Sequence, residues 1–153
     1  MTKSFTTLGL IVATAWLSSC ASRPLPPVNL AEIGWQVHES LIVWKPKRTA
    51  PELFGELLVA THPDGRRLIQ LSKQSLPLIT AESATNGWMI TSTLRRGQFG
   101  GSLPATDRVP WFLLESFPPH PPANSRWQLE LKANGVWHMV NSRTGEYVEG
   151  TMP

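Results

Sequence analysis

Trp127-Gln128-Leu129-Glu130-Leu131-Lys132-Ala133-Asn134-Gly135-Val136-Trp137-His138-Met139-Val140-Asn141 is the stretch whose reading decides the fold. Successive side chains of an extended chain alternate between two faces, so Trp127, Leu129 and Leu131 share one side and Gln128, Glu130 and Lys132 the other. One side is set to pack and the other to meet water. Asn134-Gly135, two residues that tolerate positive φ, then turns the chain back into 136–141, and Thr144-Gly145 turns it again into Tyr147-Val148. The segment reads as an antiparallel meander.

Upstream the same signals recur. Apolar and β-branched runs at 41–44, 53–61, 67–73, 76–82 and 88–94 each end at Pro, Gly or Asn, and Pro63-Asp64-Gly65 and Asn86-Gly87 are hairpin-type turns. Between the two β blocks, Gly97, Gly100 and Gly101 read as a flexible connection. Val109-Pro110-Trp111-Phe112-Leu113-Leu114 follows, with proline placed for a first turn and no break before Pro118, which predicts a short apolar helix. Asn29 is placed to cap another short helix running to about Gln36, with Leu30, Ile33 and Val37 on one side. The fold expected is mainly β, in the α+β sense: a curved antiparallel sheet of about seven strands, its apolar face covered by one or two short helices.

The N-terminal residues have a different texture. Lys3 is followed by a largely apolar stretch from Phe5 to Leu17, about 13 residues where a spanning helix needs about 20, which predicts a signal peptide over 1–19. It ends Leu17-Ser18-Ser19-Cys20, which resembles the bacterial lipobox. That resemblance implies a diacylglyceryl thioether on Cys20, cleavage before it, and attachment to the membrane through the N-terminal lipid. Cys20 is the single cysteine of the 153 residues, so no internal disulfide framework is available. Residues 20–28, with Pro24, Pro26 and Pro27, read as a stiff tether, and 29–153 as one domain. Ala21-Ser22-Arg23 follows Cys20 without the aspartate that, in enteric lipoproteins, resembles an inner-membrane retention signal, so the lipoprotein resemblance implies an outer-membrane address facing the periplasm.

Composition removes several function classes. Fourteen Lys and Arg against 11 Asp and Glu give a formal charge of +3, too small an excess to imply nucleic acid. His38, His62, His120 and His138 never fall at three- or four-residue spacing, so no metal site is expected. No serine stands in a Gly-x-Ser-x-Gly elbow, and Gly97-Gln98-Phe99-Gly100-Gly101 lacks the lysine and spacing of a phosphate loop. Glu146 and Glu149 would point to opposite faces of a strand, which excludes shared acid and base work. No enzyme activity and no cofactor are expected. Arg66-Arg67 and Arg95-Arg96, with Lys45, Lys47 and Arg48, read either as contacts for lipid phosphates or as solubilising charge.

Six tryptophans lie beyond the signal: Trp35, Trp44, Trp88, Trp111, Trp127 and Trp137. Rings of that size pack a core, line a ligand cavity, or present flat faces to sugars. The lipidated cysteine, the proline-containing stalk, Phe54-Gly55-Glu56-Leu57, the strand 68–72 and the run 127–150 together resemble the outer-membrane lipoprotein receptor LolB and its carrier relative LolA. That resemblance implies an unclosed barrel with helices as a lid over a hydrophobic cavity that receives acyl chains or acylated lipoproteins. Trp88, Trp111, Phe112, Leu114 and Trp127 would line the cavity, with 109–117 as the lid. It also implies an exposed leucine on a loop of the first β block that hands cargo to the bilayer. Leu76, in Gln74-Ser75-Leu76-Pro77, is the matching residue, although its phase with Leu78 equally suits a core position. The alternative is a non-enzymatic scaffold lipoprotein with a filled core that docks on an envelope protein complex or peptidoglycan.

Overall fold

The computed structural model describes residues 24–94, 96–102, 110–114, 119–123 and 125–151. Nine strands form one antiparallel sheet: β1 Gln36–Lys45, β2 Leu53–Thr61, β3 Arg67–Lys73, β4 Leu76–Ala84, β5 Gly87–Ser92, β6 Gly97–Gly101, β7 Trp127–Leu131, β8 Val136–Asn141 and β9 Tyr147–Thr151. Their order is β6-β5-β4-β3-β2-β1-β9-β8-β7. Every pairing joins sequence neighbours except one: β9 returns to β1, with Ile42 opposite Gly150 and Trp44 opposite Val148. β6 and β7 remain as edges, so the sheet is open. The fold is mainly β, as the alternation implied.

It departs from expectation in its strand count and its helices. Gly97–Gly101 is not a flexible link but edge strand β6, paired with β5 from Trp88↔Gly101 to Ser92↔Gly97. Glycine is what that approach requires: a Cβ on Gly100 would lie 2.8 Å from the Trp88 carbonyl oxygen. The helix expected from Asn29 is a turn. Asn29 Oδ1 accepts the Ala31 N–H at 3.1 Å, but Gly34 at φ 111° ends any helical path and Gln36 already belongs to β1. The helix expected at 109–117 is represented among the described residues by a single 3₁₀ turn, Pro110–Leu114.

Register assigns the faces. Ile42, Leu57, Ile69, Leu71, Ile79, Ala81, Ile90, Met139 and Val148 all point to one side, and all are buried in one cluster. The 3₁₀ turn lies on that side and seals it. Trp111 meets Trp44 edge-on with centroids 4.9 Å apart, and Phe112 meets Trp88 at 5.8 Å. Trp137 is wholly buried, and its indole occupies the space a side chain at Gly150 would fill, since a Cβ there would stand 2.5 Å from Trp137 Cζ2. Leu131, in phase with Trp127, is nevertheless 53% exposed because it closes an edge strand.

The sheet has two distinct ends. Turns 62–66, 85–86 and 132–135, with the start of β1, form the entry end, and segments 46–52, 74–75, 93–94 with 96, and 142–146 form the far end. The proline-rich stretch reaches the entry end, where Leu25 Cδ2 is 3.9 Å from the Cβ position of Gly87. The chain is clasped there. Arg66 pairs with Glu32 at 2.8 Å and Asp64 at 2.7 Å, while its guanidinium lies over the Trp35 ring and the His62 ring meets Trp35 at a tilt of 49°. The Arg66 backbone N–H, then the His62 and Arg66 side chains, hold the Asp64 carboxyl down at about 2.

Candidate functional site

The five residues expected to line a cavity do come together, but as packed core. Trp111, Phe112, Leu114 and Trp127 are buried and Trp88 is half-buried against them. All five belong to the one core cluster or pack against it, and none borders either of two grooves elsewhere on the sheet. Cys20 lies outside the described residues. Leu76 opens β4 behind a two-residue turn in which Gln74 and Ser75 both have positive φ, 51° and 65°. Of its two possible placements the structure gives the exposed one, at 68%.

The first groove is on the opposite face of the sheet, over β1, β2 and β9. Leu41 and Val43 alternate with buried Ile42 and Trp44 and therefore point away from the core. Across the ladder, Val43 faces Phe54 and Glu149, and Leu41 faces Glu56. These residues, with Val136 from β8 and Lys73 and Gln74 from the β3–β4 turn, enclose about 390 Å³. Its apolar anchors are open to solvent: Leu41 is 72% exposed and Phe54 64%. At the floor, a Cβ on Gly55 would lie 2.5 Å from the Ser72 carbonyl oxygen, so glycine lets β3 close in. One rim is ionic, with Lys132 Nζ 2.7 Å from Glu149 Oε2, a hydrogen bond that raises the lysine pKa.

A second groove of about 610 Å³ adjoins the first and shares Leu41, Glu56 and Thr151 with it. Its lining is more polar, including Glu39, Ser40, Gln70 and Ser72, and Gln70 Nε2 donates to Ser72 Oγ at 3.0 Å. The two together make an apolar channel with a polar extension. That arrangement suits a chain carrying a polar head. Glu146 and Glu149, set apart by the sequence argument, are engaged separately: Glu146 accepts the Trp44 Nε1–H at 3.0 Å, and Glu149 holds Lys132.

Sequence reasoning missed this face. Its signal was present in Leu41-Ile42-Val43-Trp44, an unbroken apolar run where a strand covered on one side only would alternate, and in Phe54, out of phase with Leu57 and Val59. No family model matches this chain, and no curated protein matches it.

Proposed function

We propose that this chain is a lipid-anchored bacterial envelope lipoprotein, held on the outer membrane through Cys20 and facing the periplasm. It binds an acyl chain, of a lipid or of an acylated lipoprotein, and contributes to lipid or lipoprotein transport. The observation that carries this reading is the apolar groove of about 390 Å³ with Leu41 and Phe54 largely uncovered. Its volume falls within the range of small-molecule sites, about 300–1,000 Å³. The lipobox resemblance supports the anchor, and the LolA/LolB resemblance supports the cargo class. The exposed Leu76 beside the β3–β4 turn is the residue placed to meet the bilayer during transfer. In this reading cargo lies on the outer face of the sheet rather than beneath the 3₁₀ turn.

The test is titration of a dansylated fatty acid into the full chain bearing Cys20→Ser. Saturable uptake with a micromolar Kd is expected. A folded protein that takes up none refutes the binding reading. The second reading, a scaffold lipoprotein that docks on an envelope protein complex or peptidoglycan, draws on a different observation: Trp111, Phe112 and Leu114 fill the core face. Under it the fatty acid does not bind.

A further inference from the structure

The far end of the sheet gathers cations from several separate segments. Lys47, Arg48, Lys73, Arg96, Arg126 and Arg143 stand there, all exposed. Fewer described carboxylates stand near that end: Glu52 lies 3.8 Å from Lys45, Glu146 accepts the Trp44 indole N–H, and Glu56 is opposite Ser72, the neighbour of Lys73. For a chain whose formal charge is only +3, this is a pronounced asymmetry.

The cations are held in place by the fold. The Arg48 N–H donates to the Thr144 carbonyl at 3.3 Å and the Ser142 N–H to the Arg126 carbonyl at 3.1 Å, which joins three of the segments. The Thr93 N–H donates to the Leu78 carbonyl at 3.0 Å, tying the β5–β6 turn to β4. Leu76, 68% exposed, and Leu94, 46% exposed, stand among the charges. Guanidinium groups match phosphate geometry in bidentate fashion, and four of the six cations are arginines.

The chain enters the domain at the other end. Leu25 is fixed near Gly87, and the five residues from Cys20 to Leu25 reach at most about 18 Å. β4 alone, nine residues long, separates the two ends by about 30 Å. Chain reach alone therefore keeps Cys20 short of the basic end.

We propose that the far end docks on a bilayer surface rich in anionic phospholipid, a surface other than the one that holds the anchor. The domain then spans two bilayer surfaces, with Leu76 and Leu94 entering the headgroup layer of the second. The proposal rests on the lipid-anchor part of the functional reading and does not require a ligand in the groove, whose rim shares Lys73 with this end.

The experiment reconstitutes the acylated full chain into phosphatidylcholine vesicles and adds acceptor vesicles of either phosphatidylcholine or phosphatidylglycerol, with clustering read by light scattering. Phosphatidylglycerol acceptors cluster and phosphatidylcholine acceptors do not. Salt at about 1 M, which shortens the screening length to about 3 Å, reverses the clustering. Each basic residue near an anionic surface is worth about fivefold in binding, so Lys47→Gln/Arg48→Gln/Arg143→Gln raises the acceptor concentration needed by about a hundredfold. Lys73→Gln/Arg96→Gln, on two other turns, repeats the test with an expected loss of about twentyfold if the triple variant fails to fold. Clustering of neutral acceptors to the same extent, clustering indifferent to salt and to both variants, or no clustering at all overturns the proposal. A failed fatty-acid titration beside intact clustering removes the groove reading alone.

Discussion

Replacing Leu41 and Phe54 by threonine separates groove chemistry from fold stability. Threonine is β-branched and suits a strand, so the ladder between β1 and β2 is retained. Leu41 is 72% exposed and Phe54 64%, so most of what each side chain could gain by burial is still unrealised in the free protein. Full burial of such a side chain is worth about 2 kcal/mol, which leaves about 1.3–1.4 kcal/mol for a ligand to realise at each position. That is about tenfold in Kd per residue and about a hundredfold for the double variant. Folding, by contrast, loses little, on the order of 0.5 kcal/mol per exposed position. The assay pairs the dansylated fatty-acid titration with a thermal melt of the same preparation. Weakened binding at a nearly unchanged Tm is the expected pattern. If the double variant melts normally and binds as tightly as the parent, the ligand is not in this groove and the reasoning from exposed apolar area is wrong.

Three further outcomes follow from other parts of the molecule. Cys20→Ser should move the protein from the detergent-extracted membrane fraction to the soluble periplasm or leave it unprocessed; unchanged membrane retention with cleavage at another position contradicts the anchor. Gly150→Ala drives a methyl to within 2.5 Å of the Trp137 indole, which is wholly buried and has nowhere to go. A loss of about 1–3 kcal/mol is expected, and an unaltered Tm would show that the two strands do not meet as described. Asp64, held at about 2 against an ordinary 3.8, favours the folded state when ionised. Its contribution is complete above the ordinary value and is lost as pH falls through about 2. The stability gap between the parent and Asp64→Asn should therefore close on acidification from pH 4 to pH 2; a gap of constant size across that window would mean that Asp64 makes no charge-dependent contribution.

What the sequence encodes locally was legible, and what depends on distant partners was not. The closing meander follows from Trp127 and Leu129 in phase and from turns at Gly135 and Gly145, which take φ of 75° and 68°. Strand β6 escaped because its glycines have poor strand propensity; they serve there as the close-approach surface for Trp88. The segment after Asn29 satisfied a helical pattern in Leu30 and Ile33, yet Trp35, Glu32 and the Ile33 carbonyl are claimed by Arg66 and His62 some thirty residues away. Those contacts outweigh a weak local preference. Leu76 could not be placed from phase alone, because the bulge between Leu71 and Ser72 shifts the register of the hairpin it begins.

The groove has a related origin in topology. Pairing of β9 with β1 puts β1 near the middle of the sheet, and a strand of an antiparallel sheet that is covered on one face ordinarily alternates apolar with polar. Here the core face of β1 is covered, with Ile42 3% and Trp44 7% exposed, while Leu41 beside them is left at 72%. An apolar residue in the interior of a sheet is harder to explain as chance than one at an edge, since an edge strand such as β6 naturally leaves Phe99 in water at 55%. Other apolar residues on this face extend the pattern beyond Leu41, Phe54 standing opposite Val43 on β2 and Val136 contributing from β8. Contiguous exposed apolar surface rimmed by Glu56, Lys73 and the Lys132–Glu149 pair is the arrangement that marks a binding surface. On the proposed reading an acyl chain would lie on the wet face of β1, and the tryptophan-rich face is the packed core beneath it.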